Sequence, residues 1–316
     1  MRSYGFRIGT GFVVLAALTS LAFGPGSVRM RARAVQHCVA PPPRHAAHVQ
    51  RMRFAGSGRS ALALDLMVPA GPGPHPLVVL VHGGAWRRGR RGYMSSTMRA
   101  FAAQGYAAAT VDYRLVDGHR TVFPGPVSDV RCAVRTLRAR AGELGLDPHR
   151  FAAVGFSAGG HLVAMLGTAS DRSELDDGTC PIREGSAAVQ SVASFYGPYD
   201  LRPPARVGPG ADQAIRALLG VSRQRDPLRA ALASPIAHVD SSDPPMLLVH
   251  GVRDRIVEVD QSRQMGRALA AAGVRVESLE LPRHQHGFGV FPRRVTDDEQ
   301  VACSTLSFLR ETLPHR

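Results

Sequence analysis

Two patterns of apolar residues alternate along this chain. Short continuous apolar runs, such as Leu77–Val81, are typical of strands that are covered on both faces. Between them lie segments whose apolar residues recur every three or four positions, as on the buried side of a helix. In one such segment these residues are Val127, Val130, Val134 and Leu137. The alternation predicts an α/β fold: a doubly wound, mostly parallel sheet with helices on both faces.

The pattern places a strand and a helix in turn over most of the chain. The predicted strands are 61–71, 77–81, 105–115, 150–156, 189–197, 244–251 and 274–281. The predicted helices are 94–104, 127–145, 158–168, 213–219, 261–273 and 297–313. Gly145 and Gly273 are expected to end two of the helices, because glycine readily adopts the left-handed conformation at a helix end.

Three departures from this rhythm define the expected domain organisation. Residues 1–34 contain arginines followed by the apolar stretch Ile8–Phe23, which predicts a signal peptide or an uncleaved N-terminal anchor. Residues 35–60 are expected to be an extended lead-in, and residues 61–316 a single catalytic domain. Within it, residues 201–234 are rich in Pro, Gly and Arg, and we expect a small cap or insertion there.

Composition narrows the function classes. The net charge is +14, and because the chain contains no lysine, all 39 basic residues are arginines. This excludes Schiff-base chemistry and a P-loop phosphate clamp. The arginines are scattered and no DNA- or RNA-binding motif is present, so nucleic acid is not an expected partner. Electrostatic contact with an anionic cell envelope stays open, and the sequence leaves the oligomeric state undetermined.

The four cysteines can form disulfides only if the protein resides in an oxidising compartment. Export of the chain, which the N-terminal segment predicts, would make disulfides possible, and four cysteines allow three pairings. Cys132 lies in a predicted helix and is expected to be a buried free thiol. For the peripheral cysteines, one hypothesis is a Cys38–Cys303 bridge that ties the N-terminal segment to the last helix.

The motif GFSAG, 155–159, lies between a predicted strand and a predicted helix. This is the setting of a nucleophile elbow, a sharp turn that exposes a serine above the sheet. Ser157 is therefore the candidate nucleophile, at a helix N-terminus whose partial positive charge favours a developing anion. The alternative is an ordinary tight turn.

The motif HGGAW, 82–86, follows the strand Leu77–Val81 and offers backbone N–H groups to a bound carbonyl. We predict an oxyanion hole made by the N–H groups of Gly84, Ala85 and Ala158. A plain glycine turn is the alternative for this loop. Trp86 and Tyr196 are predicted to contact substrate.

A base and an orienting acid follow in the chain order expected for an elbow serine. Asp254 comes shortly after one predicted strand, and His286 comes shortly after the next. Asp260 and His284 are their respective rivals. The pair of histidines in HQH is also a weak metal pattern, but no further ligand stands at a zinc-like spacing, so no metal or other cofactor is predicted.

Taken together, the segments HGGAW, VDYRL, GFSAGGHLVAMLG, SFYGPYDL, DPPMLLVHGVRDRIVEVDQS and HGF resemble the α/β-hydrolase superfamily. The nearest branch is the esterases similar to hormone-sensitive lipase and bacterial feruloyl esterases, over roughly residues 62–313. The resemblance implies that Asp254 and His286, rather than their rivals, complete a triad with Ser157. Phe156 and Ala85 depart from the branch, whose members often carry an acid and a third glycine there.

The expected function is a serine carboxylesterase that acts on small to medium acyl esters, with a small-molecule ester as its partner. An amide hydrolase of the arylformamidase or peptidase kind is the alternative with the same triad. A non-catalytic hydrolase-fold binding protein is the alternative from another class. The N-terminal segment predicts an exported protein, secreted or anchored at the outer face of the membrane.

Overall fold

The computed structural model describes residues 38, 48–117, 122–203, 207–291 and 297–313. The predicted signal segment 1–34 therefore lies outside the described residues. The strands are β1 (Val49–Ala55), β2 (Leu62–Met67), β3 (His75–Val81), β4 (Ala107–Val111), β5 (Leu146–Phe156), β6 (Ser191–Phe195), β7 (Met246–Gly251) and β8 (Val276–Leu281). The helices are α1 (Ser95–Ala103), α2 (Gly125–Ala139), α3 (Ala158–Thr168), α4 (Pro209–Leu219), α5 (Pro227–Leu232), α6 (Asp260–Ala271) and α7 (Asp297–Thr312). None of the described helices is long and apolar enough to cross a bilayer.

All eight strands form one sheet in the order β1-β2-β4-β3-β5-β6-β7-β8. The strands β1, β2 and β4 pair antiparallel, and every pair from β4 to β8 is parallel. The carboxyl ends of β3 to β8 consequently meet at one edge, which we call the carboxyl edge. Loops at this edge are where a doubly wound sheet places its functional groups.

The central strands contribute side chains to two separate cores because successive side chains point to opposite faces. Leu77, Val79 and Val81 of β3 pack into the core under α2, α3 and α6. Val78 and Leu80 pack into the core under α1 and α7. The sheet is thus covered on both faces, which confirms the predicted doubly wound fold and explains the continuous apolar runs.

Two elements differ from the predicted ones, an edge strand and the end of a helix. Val49–Ala55, in the predicted lead-in, is the edge strand β1. The helix predicted to end at Gly145 ends at Ala139, and Gly145 instead lies in the following turn with φ +66°. Residues 140–145 form turns instead. The spacing of apolar residues alone does not distinguish such turns from a continued helix.

The segment 201–234 contains two short helices, α4 and α5, of which the sequence pattern predicted only the second half of α4. Buried hydrogen bonds join the two ends of this cap to each other and the cap to the segment before α2. The amide of Leu201 donates to Ser234 Oγ at 2.8 Å. The amide of Phe123, which precedes α2, donates to the carbonyl of Leu218 at 2.7 Å.

Two disulfides cross-link the described chain. Cys38 bonds to Cys303, as the sequence hypothesis had it. The expectation of a free thiol at Cys132 is wrong, because Cys132 bonds to Cys180. The pairing joins α2 to the loop between α3 and β6, and only the three-dimensional path of that loop brings the two cysteines together.

Replacing both Cys132 and Cys180 by Ala should lower the free energy of unfolding by about 4 kcal/mol, the chain-entropy value for a loop of this length. The bridge spans 48 residues, and its loss frees that loop in the unfolded state. Urea unfolding followed by circular dichroism measures the change. A reductant should destabilise the wild type by a comparable amount or more. An unchanged midpoint in the variant would show that the bridge contributes nothing.

Candidate active site

Ser157 sits on a sharp turn between β5 and α3. Its backbone angles are φ 54° and ψ −118°, a conformation that non-glycine residues rarely adopt. The helix start packs so closely on β3 that a Cβ on Gly159 would lie 2.2 Å from the carbonyl oxygen of Val81. The structure therefore has the strand–turn–helix setting that the GFSAG motif predicts.

Strained backbone is concentrated around this turn. Among the described residues, the non-glycine residues with positive φ are Ala85, Trp86, Ser157 and Tyr196. They follow the carboxyl ends of β3, β5 and β6, which are neighbours in the sheet. Such conformations cost roughly 1–3 kcal/mol each and cluster at sites where a group must be held in one position.

The structure brings Ser157, His286 and Asp254 together. Ser157 Oγ lies 2.8 Å from His286 Nε2, and His286 Nδ1 lies 2.6 Å from Asp254 Oδ2. A carboxylate can only accept, so Nδ1 carries the proton of a neutral imidazole and Nε2 is left to accept from the serine hydroxyl. The side chains form one line from hydroxyl to carboxylate.

Asp254 is buried and fully engaged. Its Oδ1 accepts hydrogen bonds from the amides of Ile256 and Val257, at 2.8 and 2.9 Å. Burial alone would raise the pKa of this carboxyl. Hydrogen bonds from His250 and His286 outweigh burial and hold the pKa of Asp254 well below its usual range. The carboxylate is therefore ionised and fixed in orientation.

His250 is a contact of Asp254 that motif spacing did not identify. Its Nε2 lies 2.8 Å from the carbonyl of Val257 and 3.3 Å from Asp254 Oδ2. Both neighbours accept, so Nε2 carries a proton, and Nδ1 lies 2.6 Å from the hydroxyl of Ser262. The signal in the sequence was a histidine at the end of the apolar strand β7, where a fully buried polar side chain requires partners.

Neither rival residue takes part in this line. His284 packs its ring against Phe288, with centroids 5.1 Å apart, and its carbonyl accepts from the amide of Arg253. Asp260 is exposed at the start of α6 and pairs with Arg263 at 3.0 Å. The geometry thus selects the residues that the resemblance favoured.

The HGGAW loop lies against the nucleophile. A Cβ on Gly83 would lie 3.2 Å from Ser157 Cβ, so this glycine lies directly beside the serine. The carbonyl of Gly84 accepts the amides of Arg87 and Arg88, which closes the loop. Ala158 is the first residue of α3. The oxyanion role of Gly84, Ala85 and Ala158 stays a prediction.

Trp86 and Tyr196 are buried, at 2% and 4% exposure, and each contacts a histidine. Trp86 Nε1 donates to His161 Nδ1 at 3.3 Å, and His161 Nε2 lies 2.7 Å from the carbonyl of Ala233 in the cap. Tyr196 packs edge-on against His286 with centroids 4.6 Å apart, and its hydroxyl donates to the carbonyl of Phe288. Their predicted contact with substrate stays a prediction beside these observed packing roles.

Within the described parts of the chain, no group of three or more His, Cys, Asp or Glu side chains could hold a metal ion.

An open cavity of about 390 Å³ lies beside the cap, between the segment before α2 and helix α5. Its lining residues are Phe123, Pro124, Asp226, Leu228, Arg229 and Leu232.

Comparisons with known proteins find similarity to esterases. The BD-FAE family model matches residues 64–269. The chain is 34% identical to esterase LipC of Mycobacterium tuberculosis, over 78% of this chain and 61% of LipC. It is 31% identical to carboxylesterase NlhH of the same organism, over 75% of this chain and 74% of NlhH. It thus spans about three fifths of the length of LipC.

A solved structure shares the fold. Thermogutta terrifontis esterase 2, phosphonylated by sarin, superposes with a TM-score of 0.72 at 27% identity. The match covers 87% of this chain and 99% of that esterase.

Replacing His250 by Leu should raise the pKa of the Asp254 carboxyl, because the carboxylate loses a hydrogen-bond donor while staying buried. As the pH falls, the Asp254 carboxylate of the variant should therefore take up a proton at a higher pH than that of the wild type. Carbon-13 NMR titration of aspartate-labelled protein measures this pKa. His284→Leu is the matched control, since His284 does not bond to Asp254. Equal pKa values in all three proteins would contradict the assigned contact.

Proposed function

Because this chain belongs to the BD-FAE family, we propose that it is a serine carboxylesterase that hydrolyses small to medium acyl esters. The observation that carries the proposal is the unbroken line of hydrogen bonds from Ser157 through His286 to Asp254. The similarity to esterase LipC and carboxylesterase NlhH supports the ester as substrate. A small-molecule ester is then the partner, and the chemistry requires no cofactor.

In the proposed mechanism, Ser157 Oγ attacks the acyl carbon while His286 Nε2 takes the hydroxyl proton. The tetrahedral intermediate collapses, His286 returns the proton to the leaving alcohol, and an acyl-serine remains. Water then repeats the sequence and releases the acid. Asp254, kept ionised by its hydrogen bonds, holds the imidazole tautomer and stabilises the imidazolium.

We assign the oxyanion hole to the backbone N–H groups of Gly84, Ala85 and Ala158. Ala158 begins α3, so its amide has no acceptor within the helix and lies at the positive end of the helix dipole. The positive φ of Ala85 orients its peptide differently from an extended strand. A hole of this kind stabilises the negative charge that forms in the transition state, at roughly 3–4 kcal/mol per donor.

Ser157→Ala should abolish turnover, with a loss of about 10⁴-fold or more, because it removes the attacking oxygen. Wild type and variant are assayed side by side on p-nitrophenyl esters from acetate to palmitate. We expect the rate to be highest for short and medium chains and to fall toward palmitate. Circular dichroism checks that the variant folds. A variant as active as the wild type would refute the assigned nucleophile.

Two further assays of the same pair of proteins, with an aryl formamide and with a fluorophosphonate probe, test the two alternatives. An amide hydrolase would leave the ester series slow while cleaving an aryl formamide, and would still depend on Ser157. A binding protein that carries the fold without catalysis would leave Ser157 unlabelled by a fluorophosphonate probe. Labelling of the wild type and not of Ser157→Ala supports catalysis at this serine.

We further propose that the protein is exported, secreted or anchored through its N-terminal segment. The two disulfides support an oxidising compartment. Fusing residues 1–34 to a reporter enzyme that is active only outside the cytoplasm should give active reporter. A fusion of residues 35–60 is the control and should give none. Equal reporter activity from both fusions, or none from either, would contradict export by this segment.

A further inference from the structure

The carboxyl edge carries a concentration of exposed apolar side chains. Among the described residues, the large hydrophobic side chains with substantial exposure are Val49, Tyr93, Leu115, Leu228, Val252 and Ile256. All except Val49 belong to connections that leave the carboxyl ends of β3, β4, β6 and β7. Single exposed hydrophobic residues are ordinary on a protein surface, but their restriction to one edge indicates a shared role.

These connections form one continuous surface around Ser157. The amide of Val116, after β4, donates to the carbonyl of Trp86, after β3. Arg229 of the cap donates to the carbonyl of Phe123 at 2.6 Å. Residues 82–94, 112–117, 122–124, 196–203, 207–234, 252–259 and 282–291 therefore make up what we call the carboxyl-edge surface.

The same surface carries exposed arginines without a salt-bridge partner in the described chain. They are Arg87, Arg88, Arg90, Arg216, Arg225, Arg253, Arg255 and Arg283. Most acidic residues of the carboxyl-edge surface already have a partner within the protein. Asp112 binds Arg91, Asp200 binds Arg202, Asp212 binds Arg223, and Asp226 caps α5.

Some arginines toward the opposite edge of the sheet are neutralised. Arg150 pairs with Asp147 at 2.8 Å. Arg275, which precedes β8, pairs with both Glu277 and Glu311. Exposed arginines without a salt-bridge partner in the described chain also lie outside this surface, at Arg53, Arg99, Arg183, Arg267 and Arg310. The carboxyl-edge surface carries more of them and combines them with several exposed apolar side chains.

We propose that the carboxyl-edge surface docks onto a membrane surface that contains anionic phospholipid. Arginine guanidinium groups pair with lipid phosphates, and exposed Val252, Ile256 and Leu228 enter the boundary between headgroups and acyl chains. A soluble polyanion would use the arginines and leave the apolar side chains in water. Their combination on one surface favours lipid. Docking brings the edge of the sheet that carries Ser157 against the bilayer.

The test compares two triple variants of the full chain. The first, Arg225→Gln, Arg255→Gln and Arg283→Gln, removes charge from three carboxyl-edge connections. The control, Arg99→Gln, Arg183→Gln and Arg267→Gln, removes the same charge from exposed positions outside that surface. Every protein retains the same N-terminal segment, so its contribution to membrane binding is equal in all of them.

Binding is measured by co-sedimentation with vesicles of phosphatidylglycerol mixed with phosphatidylcholine, and with vesicles of phosphatidylcholine alone. Each basic residue near an anionic surface contributes roughly fivefold in affinity, so we expect the carboxyl-edge variant to bind anionic vesicles at least about tenfold more weakly. The control variant should bind like the wild type. Equal losses in both variants, or no loss in either, would overturn the proposal.

A second pair of substitutions separates lipid from polyanion. Val252→Ser combined with Ile256→Ser should weaken binding to anionic vesicles while leaving retention on immobilised heparin unchanged. Unchanged vesicle binding by this variant would show that charge alone drives the binding, and would overturn the assignment to lipid. Because none of these measurements requires turnover, their failure is distinguishable from failure of the proposed catalysis.

Discussion

The close approach of α3 to the central strands is the constraint on which the site depends. A backbone as unfavourable as that of Ser157 persists only where its surroundings leave no alternative. Here the helix start lies against the end of β3, with space for hydrogen only at Gly159. The amide of Ser157 is also fixed by the carbonyl of Phe195 in the neighbouring strand. The two covered faces of the sheet thus supply the rigidity that holds one hydroxyl in place.

Asp254 joins the chain segments that surround the hydrogen-bonded line. It receives two backbone amides from its own loop, one imidazole from β7 and one from the loop after β8. The carboxylate consequently fixes the relative position of elements that are distant in the chain. A buried carboxylate without these donors would bind a proton, and the imidazole of His286 would lose the acceptor that sets its tautomer.

The sequence pattern predicted the doubly wound sheet and Ser157 on its elbow, because apolar runs and motif context record local structure directly. The choice of Asp254 and His286 over Asp260 and His284 came from the resemblance to the α/β-hydrolase superfamily. The Cys132–Cys180 pairing depends on the route of an irregular loop, which no periodicity encodes. The contact of His250 with Asp254 depends on which way a buried strand residue faces. The burial of Trp86 and Tyr196 depends on turns with positive φ, a conformation their residue types do not announce.

The hydrogen bonds of the cap have a consequence for its mobility. His161, buried within α3, reaches the carbonyl of Ala233, and the amide of Phe123 reaches Leu218, so the cap is bonded to the helix that carries the serine and to the connection after β4. To swing away as a hinged lid, it would have to break these bonds together in a dry interior. The cap is therefore a fixed part of the domain, and a change in its position would require the loss of several buried hydrogen bonds at once rather than a turn about one hinge.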